Sequence, residues 1–163
     1  MNILLLALPL LFLINIFSVQ AQQNEMIKTA PTAAHNAWLK QKFSEQHQKL
    51  IPIVAVADML YSCNKERKIE PVNYKLNDLI LNMDKNRLAQ KLMLCLGDND
   101  MQSDVALNFG LLGCFHEQLA HLPEIESQQK MVLVKKAILS LSFNERKKSF
   151  TQCVTAQAIH YLK

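Results

Sequence analysis

The sequence predicts an all-α protein with one disulfide-bonded helical domain, and three observations lead to this prediction. From residue 51 onward, apolar residues recur three and four positions apart, the spacing of one face of a helix. Strand signals are scarce, because the 163-residue chain has 3 glycines and no alternating β-branched runs bounded by turns. The 4 cysteines are an even number, which is typical of a small exported domain. We expect six to seven helices.

The first 21 residues have the features of a secretory signal peptide. An almost wholly apolar run extends from residue 3 to 17, short of the roughly 20 residues that a membrane-spanning helix needs. Val19 and Ala21 place modest and small side chains at the −3 and −1 positions of a cut after Ala21. The absence of Lys or Arg before the apolar run leaves an uncleaved anchor as the alternative. We expect cleavage, a periplasmic or secreted protein, and no stable membrane insertion afterwards.

The first half of the mature chain is divided by prolines and a capping residue. Residues 22–50 form a polar N-terminal arm or helix with few apolar anchors. Pro52 suits the first position of a helix, and Pro71 opens a second one. Asp84 can cap a third helix, which Gly97 is suited to end. These signals predict three helices between the arm and Gly97.

The second half of the predicted domain, which spans residues 51–163, follows the same plan. Ser103 can cap a helix, and Pro123 marks a break before the next apolar stripe. Met131 and Ile138 belong to that stripe and are predicted to point inward. The segment from Ser142 to Glu145 has the S-x-x-E form of a capping box, which opens the last helix.

The two halves, about 52–97 and 103–162, align with each other at two offsets. These offsets place cysteine on cysteine: Cys95 on Cys153, and Cys63 on Cys114. Two similar three-helix units that pack face to face would bury both apolar stripes. The alignment therefore predicts an internal repeat.

The predicted repeat reduces the possible pairings of the four cysteines to two. Pairing Cys63 with Cys95 and Cys114 with Cys153 gives one disulfide within each unit. Pairing Cys63 with Cys153 and Cys95 with Cys114 is also compatible with a twofold arrangement. We favour the pairing within each unit.

The residues that could carry chemistry do not form a recognisable catalytic or metal site. His116 and His121 follow Cys114 within two turns, but their spacing of five makes them diverge around a helix. A calcium loop that began at Asp98 would need glycine and glutamate where Ser103 and Phe109 stand. We therefore predict no catalytic residue, no metal and no cofactor.

Gly110 and Gly113 lie three positions apart within an apolar helical segment. Each costs about 1 kcal/mol relative to alanine, so a close approach of another helix is expected there. That helix could belong to the core of the same chain or to the second copy of a homodimer, and the sequence leaves both alternatives open.

The polar residues suggest a surface for a protein partner. The net charge of +4 is spread along the chain without interleaved aromatics, so we expect no nucleic-acid binding. The exposed junction of the halves and the basic start of the last helix provide the candidate partner-binding residues: Asp98, Asn99, Asp100, Asp104, Arg146, Lys147 and Lys148.

These features together favour a binding protein without catalysis of its own. A small, exported, helical and disulfide-bonded chain resembles, in general type, the helical periplasmic immunity proteins that protect against type VI secretion amidases. The resemblance implies an inhibitor whose partner is a cell-wall-directed hydrolase. A helical carrier of a small apolar ligand and an unrecognised small secreted enzyme are the alternatives. A carrier should show an enclosed pocket, and an enzyme should show clustered polar groups with perturbed titration in a cleft.

Overall fold

The computed structural model describes residues 33–71 and 74–162, and within these ranges every regular element is an α-helix. The six helices are α1 (Ala33–Arg67), α2 (Leu76–Leu81), α3 (Lys85–Leu96), α4 (Asp104–Gln118), α5 (Glu124–Ser140) and α6 (Phe143–His160). The predicted all-α class is confirmed. The predicted signal peptide and the first part of the polar arm lie outside the described residues. Among the helices of the described ranges, none is both long and apolar enough to cross a bilayer.

The predicted start of a helix at Pro52 is wrong, because α1 runs through that position. Proline removes one backbone hydrogen bond and crowds the carbonyl four residues earlier, so it usually ends a helix. Pro52 is exposed, so water can solvate the carbonyl that loses its partner. Residues 33–50, the described part of the arm, are thus the first half of a 35-residue helix about 50 Å long.

The predicted helix start at Pro71 is also wrong, because α2 begins only at Leu76. The segment that precedes α2 is held by side chains instead. Asn64 donates its amide to the carbonyl of Glu70 at 3.1 Å and accepts the Glu70 amide at 2.8 Å. The Glu70 carboxylate accepts the Tyr74 hydroxyl at 2.9 Å and pairs with Lys91 at 2.6 Å. These contacts fix Glu70 and Tyr74 ahead of α2.

The remaining helix boundaries follow the predicted capping residues. Asp84 accepts hydrogen bonds from the first turn of α3, and Gly97 ends that helix with a φ of 63°. Ser103 caps α4 through the amide of Ala106 at 3.1 Å. Ser142 and Glu145 form the predicted capping box at the start of α6.

The core is built around the contact between α1 and α4. Helix α3 also packs on α1, α5 packs mainly on α4, and α6 packs on both central helices. A Cβ atom at Gly113 would overlap the backbone of Asp58, so α1 and α4 come within backbone contact there. A Cβ atom at Gly110 would overlap the ring of Phe150 on α6. Both glycines are therefore used inside the core, and their interpretation as a dimer face is wrong.

The two disulfides have the favoured pairing. Cys63 on α1 is bonded to Cys95 on α3, and Cys114 on α4 is bonded to Cys153 on α6. Each bond therefore joins the first and third helices of one predicted half. Because α2 has 6 residues and α5 has 17, the middle helices of the two halves differ in length.

Candidate partner-binding surface

The structure brings together the two segments in which the candidate partner-binding residues were predicted. The guanidinium of Arg146, on the first turn of α6, donates to both carboxylate oxygens of Asp104 at 2.8 and 3.0 Å. It also donates to the side-chain oxygen of Asn108. The start of α6 therefore lies beside the start of α4 and next to the loop that precedes α4.

Arg146 is buried, unlike the two lysines that follow it. The side chain of Arg146 is 10 % exposed, whereas that of its partner Asp104 is 59 % exposed. Lys147 and Lys148 are exposed. Arg146 thus holds the start of α6 in position from its buried side. The two lysines and the outer side of Asp104 are accessible to a partner.

The loop between α3 and α4 is held by its own hydrogen bonds. Asp100 accepts the backbone amide of Gln102 at 2.7 Å, and its carbonyl accepts the Ser103 hydroxyl at 2.7 Å. Asn99 donates its side-chain amide to the carbonyl of Leu96 at 3.1 Å. Asp98 and Asp100 remain exposed. We use the name loop–helix face for the surface formed by Asp98, Asn99, Asp100, Asp104, Lys147 and Lys148.

A second surface feature is an open cleft of about 530 Å³ between α1, α4 and α5. Its polar lining includes Lys65, Glu66, His116, Glu124 and Lys135. The Lys135 ammonium pairs with the Glu66 carboxylate across the cleft at 2.5 Å. The cleft is therefore mixed in charge rather than strongly acidic or basic.

His116 stands out in this cleft because it stays neutral over a wide pH range. Burial, reinforced by the positive charges of Lys65 and Lys135, lowers the pKa of His116 from 6.5 to about 4. Its ring packs edge-on against Tyr61, with 5.6 Å between ring centres. Because Cys114 is bonded to Cys153, it is not available as a thiol beside this imidazole. In the described ranges, no three His, Cys, Asp or Glu side chains are grouped so that they could hold a metal ion.

The sequence reasoning missed an apolar ridge on the outer side of α5. Met131 and Ile138 are buried, as predicted. Ile125, Val132 and Leu139 lie on the same helix with exposures of 73, 63 and 76 %. Their spacing of seven residues is the signal that could have revealed the ridge, because residues seven apart project from nearly the same side of a helix.

Two apolar depressions lie beside α5. One of about 190 Å³ is lined by Phe109, Leu112 and Leu139, together with polar groups of Glu66, Asn108 and Lys135. Another of about 300 Å³ lies on the other side of α5, between α4 and α6, and includes Phe115 and Leu133 in its lining. Both are open at the surface, so neither encloses a ligand.

Comparison with known proteins gives no assignment for this architecture. No protein-family model matches the chain, and neither a curated protein nor a solved structure matches it significantly. The interpretation of its function therefore depends on the surfaces described above.

Proposed function

We propose that this chain is an exported protein-binding module, most simply an immunity-type inhibitor that acts by covering a partner and performs no catalysis itself. The observation that supports this proposal is the loop–helix face. Its acidic and basic groups are exposed, and the segments that present them are fixed by the Arg146–Asp104 ion pair and by the hydrogen bonds of the loop. A partner would bind such a surface without having to order it first.

The charges of the face favour a partner that carries both positive and negative groups in a complementary arrangement. Asp98 and Asp100 on the loop carry negative charge, and Lys147 and Lys148 on α6 carry positive charge. Complementary charges raise association rates and select among partners more than they add affinity. An exported hydrolase with a polar, charged rim around its active site is the kind of partner that we propose.

The proposed export depends on the sequence of the first 21 residues and on the two disulfides, which persist in oxidising compartments. Expression of the full chain in a bacterial host, followed by N-terminal sequencing of the exported protein, tests it. A new N-terminus at Gln22 is the expected result. An intact Met1 in the membrane fraction would instead indicate an uncleaved anchor.

Affinity capture with the oxidised 22–163 protein tests the binding function. The bait is compared with a Lys147→Glu/Lys148→Glu variant, an Asp98→Lys variant and a Lys40→Glu control on the exposed start of α1. We expect one stoichiometric protein from the exported fraction on the unchanged and control baits, with at least about tenfold less on the loop–helix variants. If that protein is a hydrolase, equimolar bait should also suppress its activity.

Two results would overturn the proposal. Equal capture of a protein by all baits would remove the loop–helix face from the interaction. Recovery of a small apolar molecule without protein would favour the carrier, whose ligand would occupy the apolar depressions beside α5.

The cleft that contains His116 favours the second candidate, a small enzyme. A partly buried imidazole with a lowered pKa, in a cleft with Lys65 and Glu66, is the kind of cluster that active sites contain. Hydrolytic assays on peptidoglycan fragments and peptides, with a His116→Gln variant as the matched control, test this candidate. Turnover that His116→Gln abolishes would replace the binding proposal.

A further inference from the structure

The cleft between α1, α4 and α5 contains an ammonium and a carboxylate that are not paired with an opposite charge. Its volume of about 530 Å³ lies in the range of small-molecule sites. Glu66 and Lys135, which also line it, are paired with each other. Within residues 33–71 and 74–162, Lys65 and Glu124 take part in no ion pair, although both line the cleft. One cation and one anion are therefore available to a ligand in the same space.

The ammonium of Lys65 is positioned by an aromatic ring. It lies over the ring of Tyr61, 5.6 Å from the ring centre, and the same ring contacts His116 edge-on. Partial burial lowers the pKa of this ammonium, and the negative charges of Glu66 and Glu124 oppose the shift. Because a partly buried charge interacts more strongly than one in open water, the Lys65 ammonium would gain from an incoming carboxylate.

Glu124 contributes its carboxylate from the first turn of α5. One carboxylate oxygen accepts the side-chain amide of Gln128 at 3.1 Å, and Gln128 lines the cleft as well. This hydrogen bond orients the carboxylate at the wall of the cleft. The charge of Glu124 acts on Lys65, yet the two groups are too far apart to form an ion pair with each other. A ligand that contacts both would need a cation and an anion at separate ends.

The rest of the lining suits an apolar ligand body with hydrogen-bonding groups. The apolar part of the cleft consists of Leu119, Ala120, Leu122, Met131 and Val132. Val132 is 63 % exposed, so a ligand that covered it would remove apolar surface from water. His116 and Ser127 also line the cleft, and a neutral imidazole has one donor and one acceptor for a peptide group. An apolar body, an amide and two oppositely charged ends together describe a short peptide.

We propose that this cleft binds a short apolar peptide with free termini, whose carboxylate pairs with Lys65 and whose ammonium pairs with Glu124. The Glu66–Lys135 ion pair stays intact in the complex. The inference assigns binding rather than turnover to the cleft. It does not depend on the proposed partner-binding function, because the loop–helix face contains none of the residues that line the cleft.

NMR titration of the oxidised protein with the dipeptide Leu-Leu tests the proposal, using isotope-labelled protein exported by cells that express the full chain. We expect saturable shifts around the cleft, with a dissociation constant of about 1 mM or below. Lys65→Met and Glu124→Gln should each raise this constant about tenfold, because each removes one charged contact. Lys148→Met and Glu126→Gln are the matched controls, since they remove the same charges outside the cleft and should leave the affinity unchanged. The spectra also show whether each variant is folded.

Peptides that are blocked at one end test the orientation. N-acetyl-Leu-Leu lacks the ammonium, so it should bind about tenfold more weakly and should be insensitive to Glu124→Gln. Leu-Leu-amide lacks the carboxylate and should be insensitive to Lys65→Met. The opposite pattern of sensitivities would overturn the proposed orientation.

Three results would overturn the peptide site itself. One is the absence of saturable shifts up to about 10 mM dipeptide. Another is binding that the two control variants weaken as much as the two cleft variants do, because the effect would then come from net charge alone. The third is full affinity for both blocked peptides, since the ends of the peptide would then contact neither Lys65 nor Glu124.

Discussion

The side-chain amide of Gln157 on α6 donates to one carboxylate oxygen of Asp58 on α1, at 3.2 Å, in the interior of the helical domain. Asp58 is fully buried, and within residues 33–71 and 74–162 its second carboxylate oxygen has no hydrogen-bond partner. The oxygen of the Gln157 amide is likewise without a partner. A carboxylate in this position is poorly solvated, so the polar contact between α1 and α6 depends on the protonation state of Asp58.

This relationship predicts that the contribution of Asp58 to the stability of the folded protein falls as the pH rises. Burial, reinforced by the negative charge of Glu117, raises the pKa of Asp58 well above its ordinary value of 3.8, although the hydrogen bond from Gln157 opposes the shift. The protonated form is therefore favoured in the folded state, and its stabilising contribution is complete below pH 3.8. Above that value the contribution falls by about 1.4 kcal/mol per pH unit, until the pKa of the folded state is passed.

Asp58→Asn isolates this effect. The amide keeps an acceptor for Gln157 and cannot ionise, so the variant should be more stable than the parent at neutral pH. Its advantage should disappear toward pH 3.8. Urea unfolding at several pH values measures the difference, with Asp98→Asn on the exposed loop as the control. A difference in unfolding free energy that does not vary with pH would contradict the prediction.

The close approach of α1 and α4 predicts that Gly113→Ala lowers the free energy of unfolding. In a helix this change normally stabilises by about 1 kcal/mol. Here the new methyl group would overlap the Asp58 backbone, which cannot rotate away, so we expect a loss of about 2–4 kcal/mol in the free energy of unfolding. Thermal and urea unfolding of the variant provide the measurement.

Gly110→Ala is the informative comparison, because its methyl group would meet a side chain rather than a backbone. The overlap is with the tip of the Phe150 ring. The double variant Gly110→Ala/Phe150→Leu should therefore be more stable than the sum of the two single changes predicts. Strict additivity would show that the ring does not limit the space at Gly110.

The burial of Arg146 predicts that substitutions at neighbouring positions on α6 differ in their effect on the free energy of unfolding. Arg146→Met removes the ion pair with Asp104 and the hydrogen bond to Asn108, and should cost about 1–2 kcal/mol, since Asp104 remains partly hydrated. Lys147→Met changes an exposed side chain and should alter the unfolding free energy by less than about 0.5 kcal/mol. Equal effects of the two changes would mean that the Arg146–Asp104 ion pair adds no stability.

Whether a feature of the fold could be predicted from the sequence depends on how local its signal is. The caps at Asp84, Ser103 and Ser142 were predictable because a helix start depends on the backbone amides of the next three residues. Pro52 and Pro71 misled the prediction because the surrounding contacts override their local preference. Pro52 is exposed on a helix that is anchored on both sides, and Pro71 directly follows Glu70, whose backbone is held by Asn64.

The candidate surface was only partly predictable for the same reason. A run of basic residues at 146–148 indicates an exposed face, yet Arg146 is in phase with Phe150 and Gln157 on the buried side of α6. That periodicity was available in the sequence. The burial of Asp58 was not, because it follows from the contact of α1 with Gly113, a feature of the assembled helices.

The two disulfides should differ in how readily they are reduced. Cys63, Cys95 and Cys114 are at most 2 % exposed, whereas Cys153 on α6 is partly exposed. A thiolate must reach a sulfur atom to begin exchange, so the Cys114–Cys153 bond should be reduced before the Cys63–Cys95 bond. Titration of the native protein with a reducing agent, alkylation of the freed thiols and peptide mass spectrometry give the order. The two bonds should contribute similarly to the free energy of unfolding, because their sequence separations of 39 and 32 residues are similar. Removal of either bond by paired Cys→Ser changes should cost about 3–4 kcal/mol. Earlier alkylation of Cys63 and Cys95 would contradict the predicted order and would indicate that α3 opens from α1 more easily than α6 opens from α4.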